Sequence, residues 1–151
     1  MPNYCSNTLE FYCEPHEVMP LKESTQNSSR EFDFNRVLPC PVEQLRITYG
    51  AISESDWKVK HWGTESNALG GQEFRVGETA SEPQSWWFET RWSPPLPLIQ
   101  ALSRKFPRIP MRLIFNEDLR GLHGSICFIA GQEVPAAKLP VPMAMRTWLT
   151  K

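Results

Sequence analysis

The chain carries almost no excess of charge: 16 Lys and Arg face 17 Asp and Glu, a formal net charge of -1. No overall positive field is available to gather phosphate backbones, which weighs against generic nucleic-acid binding. There is no apolar run of bilayer-spanning length, and the opening Met1-Pro2-Asn3-Tyr4-Cys5 has neither the basic start nor the apolar stretch of a secretory leader. These absences predict a cytoplasmic protein without membrane contact. Close pairs of metal ligands are missing too. Cys5, Cys13, Cys40 and Cys127 form no Cys-x-x-Cys, and His16, His61 and His123 are scattered, so no metal or other cofactor is expected. With 151 residues to build a core, buried free thiols are expected in preference to two disulfides. No Ser or Cys stands in a Gly-x-Ser-x-Gly elbow, and Gly70-Gly71 lacks the Lys-Ser/Thr that completes a phosphate loop. Nucleophilic and nucleotide-hydrolysing chemistries therefore find no motif. Glycine is scarce, 8 against 14 prolines, which implies stiff and extended connections.

What the chain does have is tryptophan. Three of its six fall in the run Ser-Trp-Trp-Phe-Glu-Thr-Arg-Trp-Ser-Pro-Pro from Ser85 to Pro95. Strand side chains alternate with a period of two, so Trp86, Phe88, Thr90 and Trp92 are assigned to an oily face and Trp87, Glu89 and Arg91 to a mixed, charged one. Upstream, Cys5, Asn7, Leu9, Phe11 and Cys13 alternate with Tyr4, Ser6, Thr8, Glu10 and Tyr12 in a first strand. Glu14 to Arg30, with Pro15, Pro20 and a Gln-Asn-Ser-Ser patch, reads as a polar insertion: a loop or a short irregular helix. Phe32, Phe34, Val37 and Leu38 make a docking turn that ends at Pro39-Cys40-Pro41.

Ser53 with Asp56 marks a helix start, and that helix runs through Trp57 to about Trp62, with Gly63 as its stop. Gly70-Gly71 is read as a turn into a second strand, Glu73 to Val76, in a hairpin with the tryptophan strand. Ser93 is assigned as the next N-cap, followed by Pro94, Pro95 and the stripe Leu98, Ile99, Leu102 and Phe106. Met111, Leu113 and Phe115 alternate with Arg112, Ile114 and Asn116 in a fourth strand, and Gly121 to Gly124 leads into a fifth, Ser125 to Ala130. The order strand, helix, strand, strand, helix, strand, plus one extra strand, is the plan of a ferredoxin-like α+β domain: an antiparallel sheet with two helices on one face. Residues 1–151 are taken as one such domain, with 14–30 an insertion and 132–151 a Pro-rich tail. The tail residues Met143, Met145, Trp148 and Leu149 form either a packed helix or an arm for a partner. Packing on the chain's own domain is favoured, because left bare they would be a liability.

Several of these segments, taken in order, resemble one family. Met1-Pro2-Asn3-Tyr4-Cys5-Ser6-Asn7, the Phe-Asp-Phe-Asn-Arg-Val-Leu-Pro-Cys-Pro stretch from Phe32, Trp62-Gly63-Thr64, Phe88 to Pro95 and Asn116-Glu117 leading to Gly124 are similar to the YubB-like proteins of plasmids and phages. The resemblance runs from residue 1 to about 131. It implies a ferredoxin-like domain from a mobile element, with no established activity and no catalytic residue to carry over. Three positions depart from the family pattern: Tyr4 stands where that pattern has Trp, and Glu65-Ser66 where it has Lys-Trp, which reverses the charge after the Gly-Thr turn.

Candidates for proton transfer or anion binding are His61, Glu89, Arg91, Glu117 and His123. General acid-base work needs a titratable pair within hydrogen-bond reach, and His61 would have to meet Glu89 or Arg91 across the sheet. The competing assignment makes His61 a helix C-terminal cap and leaves Glu89 and Arg91 as a solvated same-face pair. The expectation is a non-enzymatic accessory protein of a phage or plasmid that binds a host macromolecule, a host protein in the first instance, with counter-defence as one form. Its contact surface is assigned to Trp87, Glu89, Arg91, His61 and Trp62. The second expectation is a single-stranded nucleic-acid module that stacks bases on Trp87 with Tyr4 or Tyr12.

Overall fold

The alternation that begins at Tyr4 becomes strand β1 (Tyr4–Phe11), in a computed structural model that describes residues 3–47, 53–77 and 82–139. Cys5, Asn7, Leu9 and Phe11 are buried, while Ser6 and Thr8 are half-buried. The strand is central: β3 (Gln84–Arg91) pairs with it on one side and β4 (Met111–Glu117) on the other, both antiparallel. β2 (Leu69–Arg75) lies outside β3, while β5 (Leu122–Ile129) and β6 (Gln132–Val134) lie beyond β4. The sheet order is β2-β3-β1-β4-β5-β6. With helices in the β1–β2 and β3–β4 connections, the first four strands have the ferredoxin-like arrangement, widened at one edge by β5 and β6.

Residues opposite one another in antiparallel strands share a face, so Leu9 meets Trp86 and Leu113 while Phe11 meets Met111. Onto this oily face packs helix α4 (Leu96–Lys105), burying Leu98, Ile99 and Leu102. Phe32 stacks on Trp86 with ring centroids 4.6 Å apart, and Phe34 meets Phe32 at 5.1 Å and Trp62 at 5.5 Å, both edge-on. Removing one ring of the size of Trp86 from water stabilises the fold by roughly 5 kcal/mol as an upper figure. The widened edge is tied to α4, where Gln100 donates to the Gly131 carbonyl at 2.9 Å and Ser103 Oγ accepts from the Gly131 N–H at 3.0 Å.

The segment read as a polar insertion is largely a helix, α1 (Pro15–Thr25). Pro15 at its first position forfeits no intrahelical bond. Pro20 inside it removes the bond to the His16 carbonyl and looks like a breaker. Burial of Val18, Leu21 and Thr25, spaced three and four apart, outweighs that loss. Helix α2 (Val42–Ile47) follows a 3-10 turn, Phe34–Arg36. Conversely, α3 (Glu54–His61), the helix expected between the first two strands, buries none of its residues. Its caps are as anticipated: Ser53 accepts from the Asp56 N–H, and Gly63 follows with φ +92°. The buried anchor is Trp62, just past its end.

Four further assignments change. Trp92 does not continue the oily face; β3 ends at Arg91, and Trp92 has φ +69° and is 37% exposed. There the chain leaves the sheet end for α4, with the Trp92 N–H bonded to the Asn3 carbonyl. Ser93 is not an N-cap: α4 is preceded by Pro95, and the Ser93 hydroxyl donates to the Gly63 carbonyl at 2.6 Å. Gly70 belongs to β2, where the register with β3 shifts between Leu69 and Glu73; its φ is +80°, and a Cβ there would sit 2.6 Å from Glu89 Oε1. Gly124 lies within β5 against the Phe115 ring, where an added Cβ would come 3.2 Å from its Cζ. The turn is Asp118–Gly121.

All four cysteines are free thiols, with Cys13 half-buried and the others buried; burial pushes Cys5 up to about 11 and Cys13 to about 12. The start of the presumed tail forms β6 and a 3-10 turn, Ala136–Lys138, and then Leu139, which is fully buried. Met143, Met145, Trp148 and Leu149 lie outside the described residues. Because α1 is part of the core, Leu21→Ala is expected to lower unfolding free energy by about 2–5 kcal/mol. Val59→Ala, on exposed α3, should change it by less than about 0.5 kcal/mol. Urea titrations that give equal losses would contradict the role of α1.

Candidate binding surface on the helix-free face of the sheet

The strand registers lay out the face away from the helices as cross-strand rows. One row reads Glu73, Trp87, Thr8, Ile114 and Ser125. The next reads Leu69, Glu89, Ser6, Asn116 and His123, and beyond it Tyr4 faces Arg91. On the other side of the Trp87 row come Ser85, Glu10, Arg112, Cys127 and Val134. Trp87 is half-buried and its indole N–H donates to Ser6 Oγ at 3.0 Å, which ties the ring down toward β1. Glu89 is half-buried and Arg91 exposed, and neither side chain bonds another described residue. The Arg91 backbone is braced by the Thr64–Ser66 loop: its N–H donates to Ser66 Oγ at 3.0 Å, and its carbonyl accepts from Thr64 Oγ1 at 2.7 Å.

Trp87, Glu89 and Arg91 are thus brought together, whereas the other two assigned contact residues lie elsewhere. Trp62 is fully buried in the helical layer, where its indole N–H donates to the Leu38 carbonyl at 2.8 Å. It belongs to the core because Phe34 and Trp57 pack edge-on against it. His61 sits in the last turn of α3, with Nδ1 2.9 Å from the Trp57 carbonyl and its ring stacked on Trp57 at 4.3 Å. Its partners are within its own helix, so the cross-sheet pairing with Glu89 or Arg91 is not formed. His123 is exposed on β5, in the Glu89 row.

The two ends of the face differ. At one, Tyr12, Cys127 and Leu139 are buried together under the 3-10 turn, with Ile129, Val134 and Ala136 against them. Tyr12 OH donates to Glu10 at 2.6 Å, Arg112 stands 3.9 Å from the same carboxylate, and Arg112 Nη2 reaches Ser125 Oγ at 3.3 Å. Burial pushes the Glu10 carboxyl above the usual carboxylate range, and the Tyr12 hydrogen bond and the Arg112 charge offset this only in part. A cleft of about 470 Å³ lined by Ser125, Cys127 and Glu133–Ala136 opens beside this cluster.

At the other end stands Glu117, the last residue of β4. Fully buried, it accepts from the Asn3 amide, the Leu119 N–H at 3.0 Å, and Arg120 through both N–H (3.2 Å) and Nε (2.9 Å). Arg120 also donates to the Trp92 carbonyl and lies over the Trp92 ring at 5.9 Å. Glu117 is thereby committed to holding the β4–β5 turn and is not free for proton transfer. Around this latch Tyr4 is 48% and Leu119 80% exposed. The legible signal was an acid one residue before the turn Asp118–Gly121, with Arg120 three residues on.

Residues 62–141, more than half of the chain, match the family described as the ferredoxin-like domain in Api92-like protein. The chain belongs to that family. Among solved structures, this Api92-like domain is similar to the crystal structure of protein api92 from Yersinia pseudotuberculosis, with 18% identity and a TM-score of 0.57, over 68% of this chain and 37% of that one. The likeness concerns the fold, and the chain spans little more than a third of that relative's length. No curated protein matches.

The raised pKa of Glu10 has a signed consequence for stability. A carboxyl whose folded pKa lies above its unfolded value contributes fully below the unfolded value, and the contribution is lost as pH rises through the folded one. From the ordinary 4.5 upward, the wild type is therefore expected to lose unfolding free energy relative to Glu10→Gln. Parallel pH profiles of urea stability for the two chains would refute this.

Proposed function

We propose that this Api92-like domain is a non-enzymatic accessory module, encoded by a phage or plasmid and acting in the cytoplasm, that binds a host protein through the helix-free face of its sheet. The observation that carries the reading is the half-buried Trp87–Thr8–Ile114 row, flanked by Glu89 and Arg91, neither of which bonds another described side chain. Aromatic and arginine side chains dominate interface energetics, and a patch with both signs of charge suits a protein partner better than a polyanion. Origin in a mobile element is supported by the ordered resemblance to the YubB-like proteins, and a counter-defence role fits such an origin. Both are associations drawn from kinship.

A second reading has one observation in its favour. Tyr4 and Trp87 lie on the open face of a ferredoxin-like sheet with Arg91 beside them, the combination with which single-stranded nucleic acid is stacked and neutralised. Glu73 in the Trp87 row and Glu89 in the row between Trp87 and Arg91 oppose phosphates, which places this reading second.

Affinity capture from the host is expected to return one stoichiometric protein. Trp87→Ala should weaken its binding by about 30-fold or more, the effect of losing about 2 kcal/mol at a hot spot. Val59→Ala on α3 should leave binding unchanged. Equal capture by wild type and Trp87→Ala would refute the assigned face. Binding to single strands that weakens steeply as salt rises would favour the second reading instead.

A further inference from the structure

Strand β5 is longer than the strand that covers it. It runs over Leu122–Ile129, but β6 pairs only with Cys127, Phe128 and Ile129, and among the described residues nothing lies along the outer side of residues 122–126. The hairpin decides which backbone groups are left there. Ala130 and Gly131, with φ +51° and +78°, form a two-residue turn, whose flanking pair Ile129 and Gln132 exchanges hydrogen bonds. By alternation Cys127 also turns to β6, while Phe128, Ile126, Gly124 and Leu122 turn to β4. Ser125 and His123 therefore aim both N–H and C=O outward, and no described group meets them. Open edges are commonly blunted by charge, proline or a bulge. Leu122-His123-Gly124-Ser125-Ile126 contains no Asp, Glu, Lys, Arg or Pro, and its first four residues are exposed.

We propose that this stretch pairs with the same stretch of a second copy of the chain, antiparallel about a two-fold axis at Gly124. A two-fold interface has to be self-complementary, and this register is. His123 lies opposite the partner's Ser125, and Ser125 opposite the partner's His123, so both outward rungs of each copy are used. Leu122, 39% exposed, comes opposite the partner's Ile126 on the helix side of the sheet, an apolar cross-strand pair. The same register carries the turn at residues 118–121 of one copy to the end of β6 in the other, at the cleft lined by Ser125, Cys127 and Glu133. That turn bears Leu119, 80% exposed, and Arg120, whose side chain is half exposed. Glu133 at the cleft is exposed and has no described ion-pair partner, so opposite charges meet at each end of the interface. Because both copies spend the same rungs, the pairing closes at two chains.

Sedimentation of the full chain over a dilution series tests this, with amide hydrogen exchange read by NMR. The wild type is expected to show twice the mass of the single chain at high concentration and to dissociate on dilution. Leu122→Lys, at an exposed position, should raise the dissociation constant by about tenfold or more. Ser125→Pro, which removes an outward N–H and is tolerated where that group is unpaired, should act in the same direction. If Ser125→Pro lowers the urea midpoint, Leu122→Lys decides alone. In the dimer the amides of His123 and Ser125 should be protected, and on dilution they should exchange about tenfold or more faster while Gly124, bonded to β4, stays unchanged. A monomeric mass at every concentration overturns the proposal. So does a dimer that Leu122→Lys leaves intact or in which the His123 amide exchanges freely. No host protein is present in this measurement, so its failure leaves the proposed function standing, and a dimer that captures no host protein would sink that reading alone.

Discussion

The register of β1 is the constraint on which everything else depends. Paired on both sides, it fixes which residues of β3 and β4 share a face, and a slip by one residue would send Leu9 and Phe11 to solvent and Glu10 into the helical layer. Asn7 helps to specify that register. Buried among apolar neighbours, its amide donates to the Cys5 carbonyl at 3.1 Å and to Thr90 Oγ1 at 3.0 Å, and Thr90 passes the chain on by donating to the Ser93 carbonyl at 2.7 Å. An unsatisfied amide there would carry the full cost of desolvation, about 1–3 kcal/mol, so the correct pairing is separated from slipped ones by polar as well as apolar contacts.

Two buried carboxylates mark opposite ends of the sheet and show how environment decides a role. Glu117 is surrounded by donors and accepts four hydrogen bonds, so it acts as a fastening. Glu10 has one phenol and a guanidinium at 3.9 Å, so burial dominates and its charged form is disfavoured.

The fold was legible where one period dominated. The alternations in β1, β3 and β4 and the stripe on α4 each bury one face, and in these elements local pattern and tertiary contact agree. It was illegible where tertiary contacts override local preference. Pro20 in α1 is tolerated because the Val18–Leu21–Thr25 stripe is buried, and Gly70 and Gly124 read as turns because the reasons for a glycine there, the Glu89 side chain and the Phe115 ring, are on other strands. Of the residues assigned to the candidate surface, period two put Trp87, Glu89 and Arg91 on one face. Adjacency in sequence misassigned Trp62, because a residue just past a helix end can turn into the core as readily as outward.

The bulge in β2 and the brevity of β6 bear on how this molecule meets others. An outermost strand presents a ladder of unused amides and carbonyls that can template a further strand from another chain. Here one border is kinked by the register shift between Leu69 and Glu73, and the other is three residues long. A kinked border twists out of line and a three-residue one offers too few rungs, so chain-to-chain polymerisation through the sheet is discouraged on both flanks.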